Sequence, residues 1–197
     1  MTALILASAS AIRRVLLANA GLGFTAVSPG VDEDAEKARL QADRASPKAV
    51  AEALAAIKAA RVSRDFDGLV IGADQTLELD GALFDKVADL PAARERLTRL
   101  RGRTHQLHAG VALARAGETL WRETVSARLT MRDFSDAFLD AYLERNGEAA
   151  LSSVGCYHLE GEGAQLFDRV EGDYFAILGL PLLGLLDELR AQGALAA

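Results

Sequence analysis

The first 21 residues constrain the fold of this chain more than any other stretch. A short apolar run, "LILA" (4–7), leads through two serines into "AIRRVLLANAG" (11–21), an amphipathic helix pattern that Gly21 would end. The pattern predicts a buried strand, a tight turn and a helix. Arg13 and Arg14 fall in the first turn of that helix, where the backbone dipole already carries positive charge. Such a placement is most favourable when an anion binds at the same point.

The rest of the chain alternates between strand and helix patterns. Predicted helices cover 46–62, 91–102, 135–147 and 180–193, and predicted strands cover 24–29, 68–74, 105–114 and 119–131. "DG" at 80–81 predicts a hairpin, and 152–172 is predicted to form strands with glycine-rich turns. Strands mixed with helices throughout indicate an α/β fold, in which helices flank a mixed sheet. With no repeat and no linker, we expect one domain over residues 1–197.

Composition and charge exclude several classes of protein. The net charge of −6 argues against general nucleic-acid binding, which usually needs a basic face. The longest apolar run, 175–186, is too short to cross a bilayer and contains Pro181, so we expect no membrane association. The single cysteine, Cys156, cannot form an internal disulfide. These features favour a cytoplasmic protein that binds neither nucleic acid nor membrane.

The distribution of charge near the N-terminus suggests a phosphate site. Residues 1–31 contain no acidic residue, and four follow at once: Asp32, Glu33, Asp34 and Glu36. Hydroxyl and guanidinium donors beside a helix N-terminus, followed by acids in a flexible loop, suit a metal-bound phosphate. The candidate donors are Ser8, Ser10, Arg13 and Arg14. The alternative is that Ser10 only caps the helix and the arginines face water.

Asp74 is the strongest candidate for catalysis because it ends the apolar strand "LVIGAD". Ligands gather at the carboxyl ends of strands in α/β sheets, and a carboxylate there can bind a divalent metal or accept a proton. It could equally cap a turn. Lys58 and Lys86 could bind phosphate or lie on the surface. The two histidines of "HQLH" (105–108) would occupy opposite faces of a strand, which makes a zinc site improbable. We expect Cys156 to be a buried structural thiol.

Taken in order, these segments resemble the Maf family of nucleotide pyrophosphatases. The resemblance covers nearly the whole chain and rests on these motifs: "LILASASAIRRVLL", "VDE" (31–33), "GADQT" (72–76), "DK" (85–86), "LRGRTHQLHAGVAL", "LEGEGAQLF" and "GLPL" (179–182). It implies hydrolysis of a nucleoside triphosphate to the monophosphate and pyrophosphate, assisted by Mg²⁺ or Mn²⁺. It also implies a fold like that of inosine triphosphatase, with two lobes around a nucleotide cleft, and a possible homodimer.

The resemblance assigns roles to individual positions. Asp74 matches the catalytic carboxylate and a metal ligand, and Glu33 matches a second metal ligand. Four positions match the polar and basic groups expected to hold the triphosphate: Ser8, Arg13, Lys58 and Lys86. Arg14 is a further candidate for that role. The family's usual Lys-Pro is Lys86-Val87 here.

Three positions associated with substrate choice in the family give a mixed result. Gln75 and Glu160 match the branch that acts on 7-methyl-GTP, and a glutamate can accept hydrogen bonds from a guanine edge. That branch usually has tryptophan at the position of Ile12, and an isoleucine has no aromatic ring to stack on the base. The expected preference is therefore for modified guanine nucleotides. Hydrolysis of dTTP or UTP, a phosphatase that releases orthophosphate and a non-enzymatic regulator of cell division remain alternatives.

Overall fold

The computed structural model describes residues 2–196. This part of the chain forms one mixed sheet of seven strands flanked by seven α-helices. The strands are β1 (Leu4–Ala7), β2 (Thr25–Val27), β3 (Leu69–Leu79), β4 (Ala82–Phe84), β5 (Thr104–Arg115), β6 (Glu118–Met131) and β7 (Phe167–Glu171). The helices are α1 (Ala11–Asn19), α2 (Glu33–Ala42), α3 (Pro47–Val62), α4 (Leu90–Leu100), α5 (Asp136–Asn146), α6 (Tyr174–Ile177) and α7 (Leu182–Ala191). The predicted α/β class is confirmed.

The sheet joins a parallel and an antiparallel half through β3. Its order is β2-β1-β3-β5-β6-β7, with β4 paired to the far end of β3. β1 runs parallel to β2 and β3, whereas β5, β6 and β7 pair antiparallel. Because Ala7 pairs with Gly72, the end of β1 lies beside the middle of β3. The chain segments after Ala7 and around Asp74 therefore meet at one place.

Two large apolar clusters pack on the sheet. One holds Leu6 and Leu17 with side chains from α7, and the other holds Leu77, Leu97 and Leu129 with side chains from α5. β3 and β5 contribute to both clusters, so the two parts of the fold share these long strands. This arrangement agrees with the two lobes implied by the family resemblance.

Helix α3 lies almost in contact with the sheet backbone. A Cβ at Gly72 would be only 2.2 Å from the carbonyl oxygen of Ala55, and one at Gly110 would be 2.5 Å from that of Ala51. Because neither glycine has a side chain, the helix can approach closely. This approach brings Lys58, on α3, to the strand that carries Asp74.

Local signals predicted most helix boundaries correctly. Ser46 caps α3 with Pro47 in its first turn, Ser135 caps α5, and Gly21 has a φ of +77° beyond α1. The predicted strands β5 and β6 pair along their length, and the hairpin at 80–81 joins β3 to β4.

Two predictions of local structure were wrong. Residues 152–172 contain mainly turns and a 3-10 helix (Glu162–Leu166), with a strand only at Phe167–Glu171. Glu33 is not in a flexible loop, because α2 begins at that residue. The sequence of α2 is mostly polar and none of its residues is buried, so it has no apolar periodicity to reveal it. The Asp32 cap and an acidic first turn stabilise it locally. No helix among residues 2–196 is long and apolar enough to cross a membrane.

Candidate active site

A buried ion pair forms the centre of the candidate site. Lys58 Nζ lies 2.6 Å from Asp74 Oδ1 and 2.9 Å from Glu33 Oε2. Asp74 is only 6 % exposed and Lys58 only 4 % exposed. Three residues from α2, α3 and β3, distant in sequence, are thus joined by one ammonium group. Lys58 is not a surface lysine, and Asp74 does not end its strand but lies inside the longer β3.

Asp74 has one carboxylate oxygen available for a further contact. Its Oδ2 is buried and has no hydrogen-bond partner among the described residues. Burial raises the pKa of Asp74, and the positive charges of Lys58 and Arg13 only partly oppose that rise. A buried oxygen without a hydrogen bond destabilises a folded protein, so such atoms are rare in a packed core. They are common in sites that bind a ligand.

Arg13 points into the protein. Its Nε donates to the carbonyl oxygen of Gly179 at 2.8 Å, and its Nη1 donates to Ala73 O at 2.8 Å and to Ser8 Oγ at 3.1 Å. None of these contacts uses the N–H groups of Nη2. Burial lowers the pKa of Arg13, while the charges of Asp74 and Glu33 oppose that effect. The guanidinium is therefore fixed beside the carboxylates with one nitrogen free of these contacts.

Ser10 and Arg14, the other candidate donors at the start of α1, do not contact the carboxylates. Ser10 is the N-cap of α1, where its side chain accepts a hydrogen bond from the backbone N–H of Arg13. This is the capping role that the sequence analysis gave as the alternative to phosphate binding. Arg14 is exposed, and its Nη2 donates to Ala9 O at 3.2 Å. The structure thus brings Ser8 and Arg13 to Asp74 but leaves Arg14 at the surface, where only a ligand that extends over the turn could reach it.

The carboxylates fit a divalent cation that is completed by other ligands. Among residues 2–196 there is no group of three or more histidine, cysteine, aspartate or glutamate side chains arranged to hold a metal. Asp74 and Glu33 are nevertheless brought together by Lys58, and Asp74 Oδ2 has no hydrogen-bond partner within residues 2–196. Mg²⁺ is usually bound by one or two carboxylates together with water and substrate phosphates. The residues present fit that mode of binding.

Lys37 is a basic residue at this site that the sequence analysis missed. It lies one helical turn after Glu33 on α2 and pairs with Asp85. Burial lowers its pKa, but the hydrogen bond and charge of Asp85 and the charges of Asp74 and Glu33 raise it by more. Lys86 follows Asp85 directly and is exposed. Had α2 been recognised, the spacing of four residues from Glu33 would have indicated that Lys37 lies on the same helix face.

Gln75 and Arg13 together hold the segment that follows β7. The side-chain amide of Gln75 donates to Ala176 O at 3.0 Å and to Ile177 O at 2.9 Å, while Arg13 holds Gly179 O. Gly179 has a φ of +97°, a conformation that favours glycine. The residue after Asp74 is therefore bonded to protein backbone, and α6 is fixed to the candidate site.

A pocket of about 520 Å³ opens beside α1. Its lining is mostly apolar, with Ile12 on one side and Tyr174 and Phe175 of α6 among the other residues. Glu160 is its one charged lining residue. The imidazole of His158, with Nδ1 at 3.6 Å from Glu160 Oε1, lowers the pKa of Glu160, against a smaller opposing effect of burial. Ile12 and Glu160, separated by 148 positions in the sequence, thus meet at one pocket.

His105, His108 and Cys156 make structural contacts away from the candidate site. His105 contacts the hydroxyl of Tyr157 at 2.7 Å, and His108 lies between Glu78 and Ser126, so the two histidines do lie on opposite faces. Cys156 is buried, and burial raises its pKa to about 11. The opposite faces expected for the two histidines of "HQLH" and the buried thiol expected for Cys156 agree with these positions.

Comparisons with known proteins identify the family of this chain. A sequence model of the family described as Maf-like protein matches residues 3–192. The chain is 60% identical over 195 residues to a nucleoside triphosphate pyrophosphatase of Caulobacter vibrioides, covering 99% of this chain and 98% of that protein. It is 52% identical over 195 residues to a 7-methyl-GTP pyrophosphatase of Rhizobium meliloti, covering 98% of each. A 7-methyl-GTP pyrophosphatase of Brucella abortus is 50% identical over 190 residues, 96% of each chain. The chain belongs to the Maf family.

Proposed function

We propose that this protein hydrolyses nucleoside triphosphates to the nucleoside monophosphate and pyrophosphate. The observation that carries the proposal is the buried carboxylate of Asp74. One of its oxygens has no partner among the residues that the structure describes, and it lies beside the cations of Lys58 and Arg13. The names of the similar proteins from Caulobacter and Rhizobium support the same activity.

The triphosphate is bound by positive charges from several elements. Arg13 Nη2 and Ser8 offer donors at the end of β1, and Lys58 offers a buried ammonium at the carboxylates. Lys37, whose charge interacts with those of Asp74 and Glu33, adds positive charge near the carboxylates, and we assign the exposed Lys86, which follows Asp85, to the same role. Phosphoryl transfer depends mainly on positioning and on stabilising charge spread over phosphate oxygens, and these groups supply both.

Asp74 activates the attacking water. The water oxygen bonds to the α-phosphorus, the bond from that phosphorus to the bridging oxygen breaks, and pyrophosphate leaves. The proton released by the water passes to the Asp74 carboxylate.

Asp74 and Glu33 would hold Mg²⁺ or Mn²⁺, with the remaining ligands supplied by water and phosphate oxygens. When bound, the cation neutralises charge on the triphosphate and on the leaving pyrophosphate. Lys58, which contacts both carboxylates, keeps them close to each other before substrate arrives.

We further propose a preference for 7-methylated guanine nucleotides over dTTP and UTP. The apolar pocket, whose lining includes Ile12 and Glu160, suits a flat base that is cationic and carries N–H donors. A pyrimidine such as uracil has fewer donors for that carboxylate. Gln75 would affect the base preference indirectly, because its side-chain amide is hydrogen-bonded to the backbone of α6, which forms part of the pocket.

The test is turnover with identification of the products. The purified protein is incubated with Mg²⁺ or Mn²⁺ and 7-methyl-GTP, GTP, dTTP or UTP, in water enriched in ¹⁸O. We expect pyrophosphate in every active reaction, the label in the monophosphate, and the highest kcat/KM for 7-methyl-GTP. Orthophosphate and a diphosphate as products would contradict the activity. Binding without turnover would favour a regulator, and a preference for dTTP or UTP would contradict the proposed base selection.

A cytoplasmic location and a homodimer complete the proposal. The single, buried cysteine suits a reducing compartment. Light scattering coupled to gel filtration measures the mass in solution directly, and a monomer at micromolar concentration would contradict the dimer.

A further inference from the structure

The pocket beside α1 has an exposed aromatic ring in its wall. Tyr174 is 50 % exposed, whereas Ala176 and Ile177 on the same short helix are almost fully buried. The ring lines the same pocket as Ile12 and Glu160. A half-exposed tyrosine at the start of a helix whose last two residues are buried leaves a large flat surface available to a ligand.

The backbone that carries this ring is held from two sides. The Asp173 side chain caps α6 by accepting the N–H of Ala176 at 2.7 Å. The Gln75 amide donates to Ala176 O and Ile177 O. Because Gln75 directly follows Asp74, the position of Tyr174 is tied to the strand that carries the candidate catalytic carboxylate. A ring on a fixed backbone loses less conformational entropy when a ligand stacks on it.

The chemistry of the pocket favours a base that carries positive charge. Ile12 cannot supply an aromatic face, and Glu160 is the one charged residue among the lining residues. An aromatic ring attracts a cation over its face, and a tyrosine also stacks on neutral bases. The ring of Tyr174 and the carboxylate of Glu160 would therefore both favour a cationic purine over uracil.

We propose that Tyr174 is a specificity-determining residue, whose ring stacks on the base of the substrate and supplies the aromatic face that Ile12 lacks. This inference rests on the proposed function, because it assigns the base-binding wall of that same site. It adds a residue from α6 to the three positions considered from the sequence.

The experiment compares Tyr174→Ala with Tyr174→Phe, which keeps the aromatic face. Phe66→Ala is the matched control, because Phe66 is also an exposed aromatic residue but does not line the pocket. We expect Tyr174→Ala to raise KM for 7-methyl-GTP about tenfold or more, with kcat changed less than about twofold. KM for UTP should change much less. Tyr174→Phe should restore most of the affinity, and Phe66→Ala should behave as the wild type.

A binding measurement separates this inference from the proposed activity. The Kd of 7-methyl-GMP, measured by calorimetry, requires no turnover and should rise in Tyr174→Ala to the same extent as KM. If the wild type releases no pyrophosphate but binds 7-methyl-GMP through Tyr174, the activity is wrong and the stacking inference holds. If the wild type is active and Tyr174→Ala changes neither KM nor Kd, the inference is wrong. A variant with unchanged KM but altered mass in gel filtration would place the ring in a subunit interface, which also overturns the inference.

Discussion

Replacing Asp74 with asparagine should separate catalysis from stability. The substitution keeps the size of the side chain and keeps an acceptor for Lys58 at the position of Oδ1. It removes the negative charge and puts an amide at the position of Oδ2, an atom with no hydrogen-bond partner in the described part of the chain. We expect kcat to fall at least about a hundredfold, which corresponds to about 2.7 kcal/mol of transition-state stabilisation.

Although its activity falls, the same variant should be at least as stable as the wild type. Burial raises the pKa of Asp74, so folding disfavours its charged form relative to the unfolded chain. A neutral isostere avoids that penalty, and Lys58 keeps its contact with Glu33. Each unit by which the pKa of Asp74 in the folded protein exceeds that in the unfolded chain corresponds to about 1.4 kcal/mol of free energy of unfolding. We therefore expect Asp74→Asn to have a Tm equal to or above that of the wild type at pH 7.

The pH dependence provides the check on this reasoning. Below the ordinary aspartate pKa of 3.8 the wild-type carboxyl is protonated in both folded and unfolded states, and the variant should have no such advantage. As the pH rises from there through the raised folded pKa, the wild type should lose stability relative to Asp74→Asn. Pyrophosphate release and thermal unfolding are measured on both proteins from pH 4 to pH 8. Near-normal activity would show that the catalytic carboxylate is elsewhere, and a Tm lowered by many degrees would show that the Asp74 charge is structural.

Three further predictions follow from other contacts. Arg13→Ala should raise KM for the triphosphate, which initial rates measure. It should also lower the free energy of unfolding by about 2–4 kcal/mol, because Ala73 O and Gly179 O lose a buried donor, and denaturant unfolding measures that effect. Gly72→Ala should be strongly destabilised by contact with the backbone of α3, whereas Gly23→Ala, with open space at its Cβ, should unfold near the wild-type denaturant midpoint. Cys156, with a pKa of about 11, should be thiolate in roughly one molecule in a thousand at pH 8, so iodoacetamide should label it slowly until urea unfolds the protein; rapid labelling of native protein would contradict its burial.

The sequence determined those features that depend on neighbouring residues. Serine caps, prolines in first turns and terminal glycines set the boundaries of α1, α3 and α5 within a residue or two, because each signal acts within one turn of the chain. Alternation and apolar runs identified β1, β5 and β6 for the same reason. The motifs at Ser8–Arg13 and at Asp74 indicated an anion and a carboxylate, since the chemistry of those side chains is independent of the fold.

Only the tertiary structure decided which of these side chains act together. Arg13 turns inward and Arg14 outward because the acceptors for Arg13, the carbonyls of Ala73 and Gly179, come from 60 and 166 positions away in sequence. Lys58 reaches Asp74 because Gly72 lets α3 approach the sheet. The polar helix α2 and the pocket wall at Tyr174 likewise depend on contacts with distant segments. Such contacts leave no periodic or local signal, because they are set by how the elements pack.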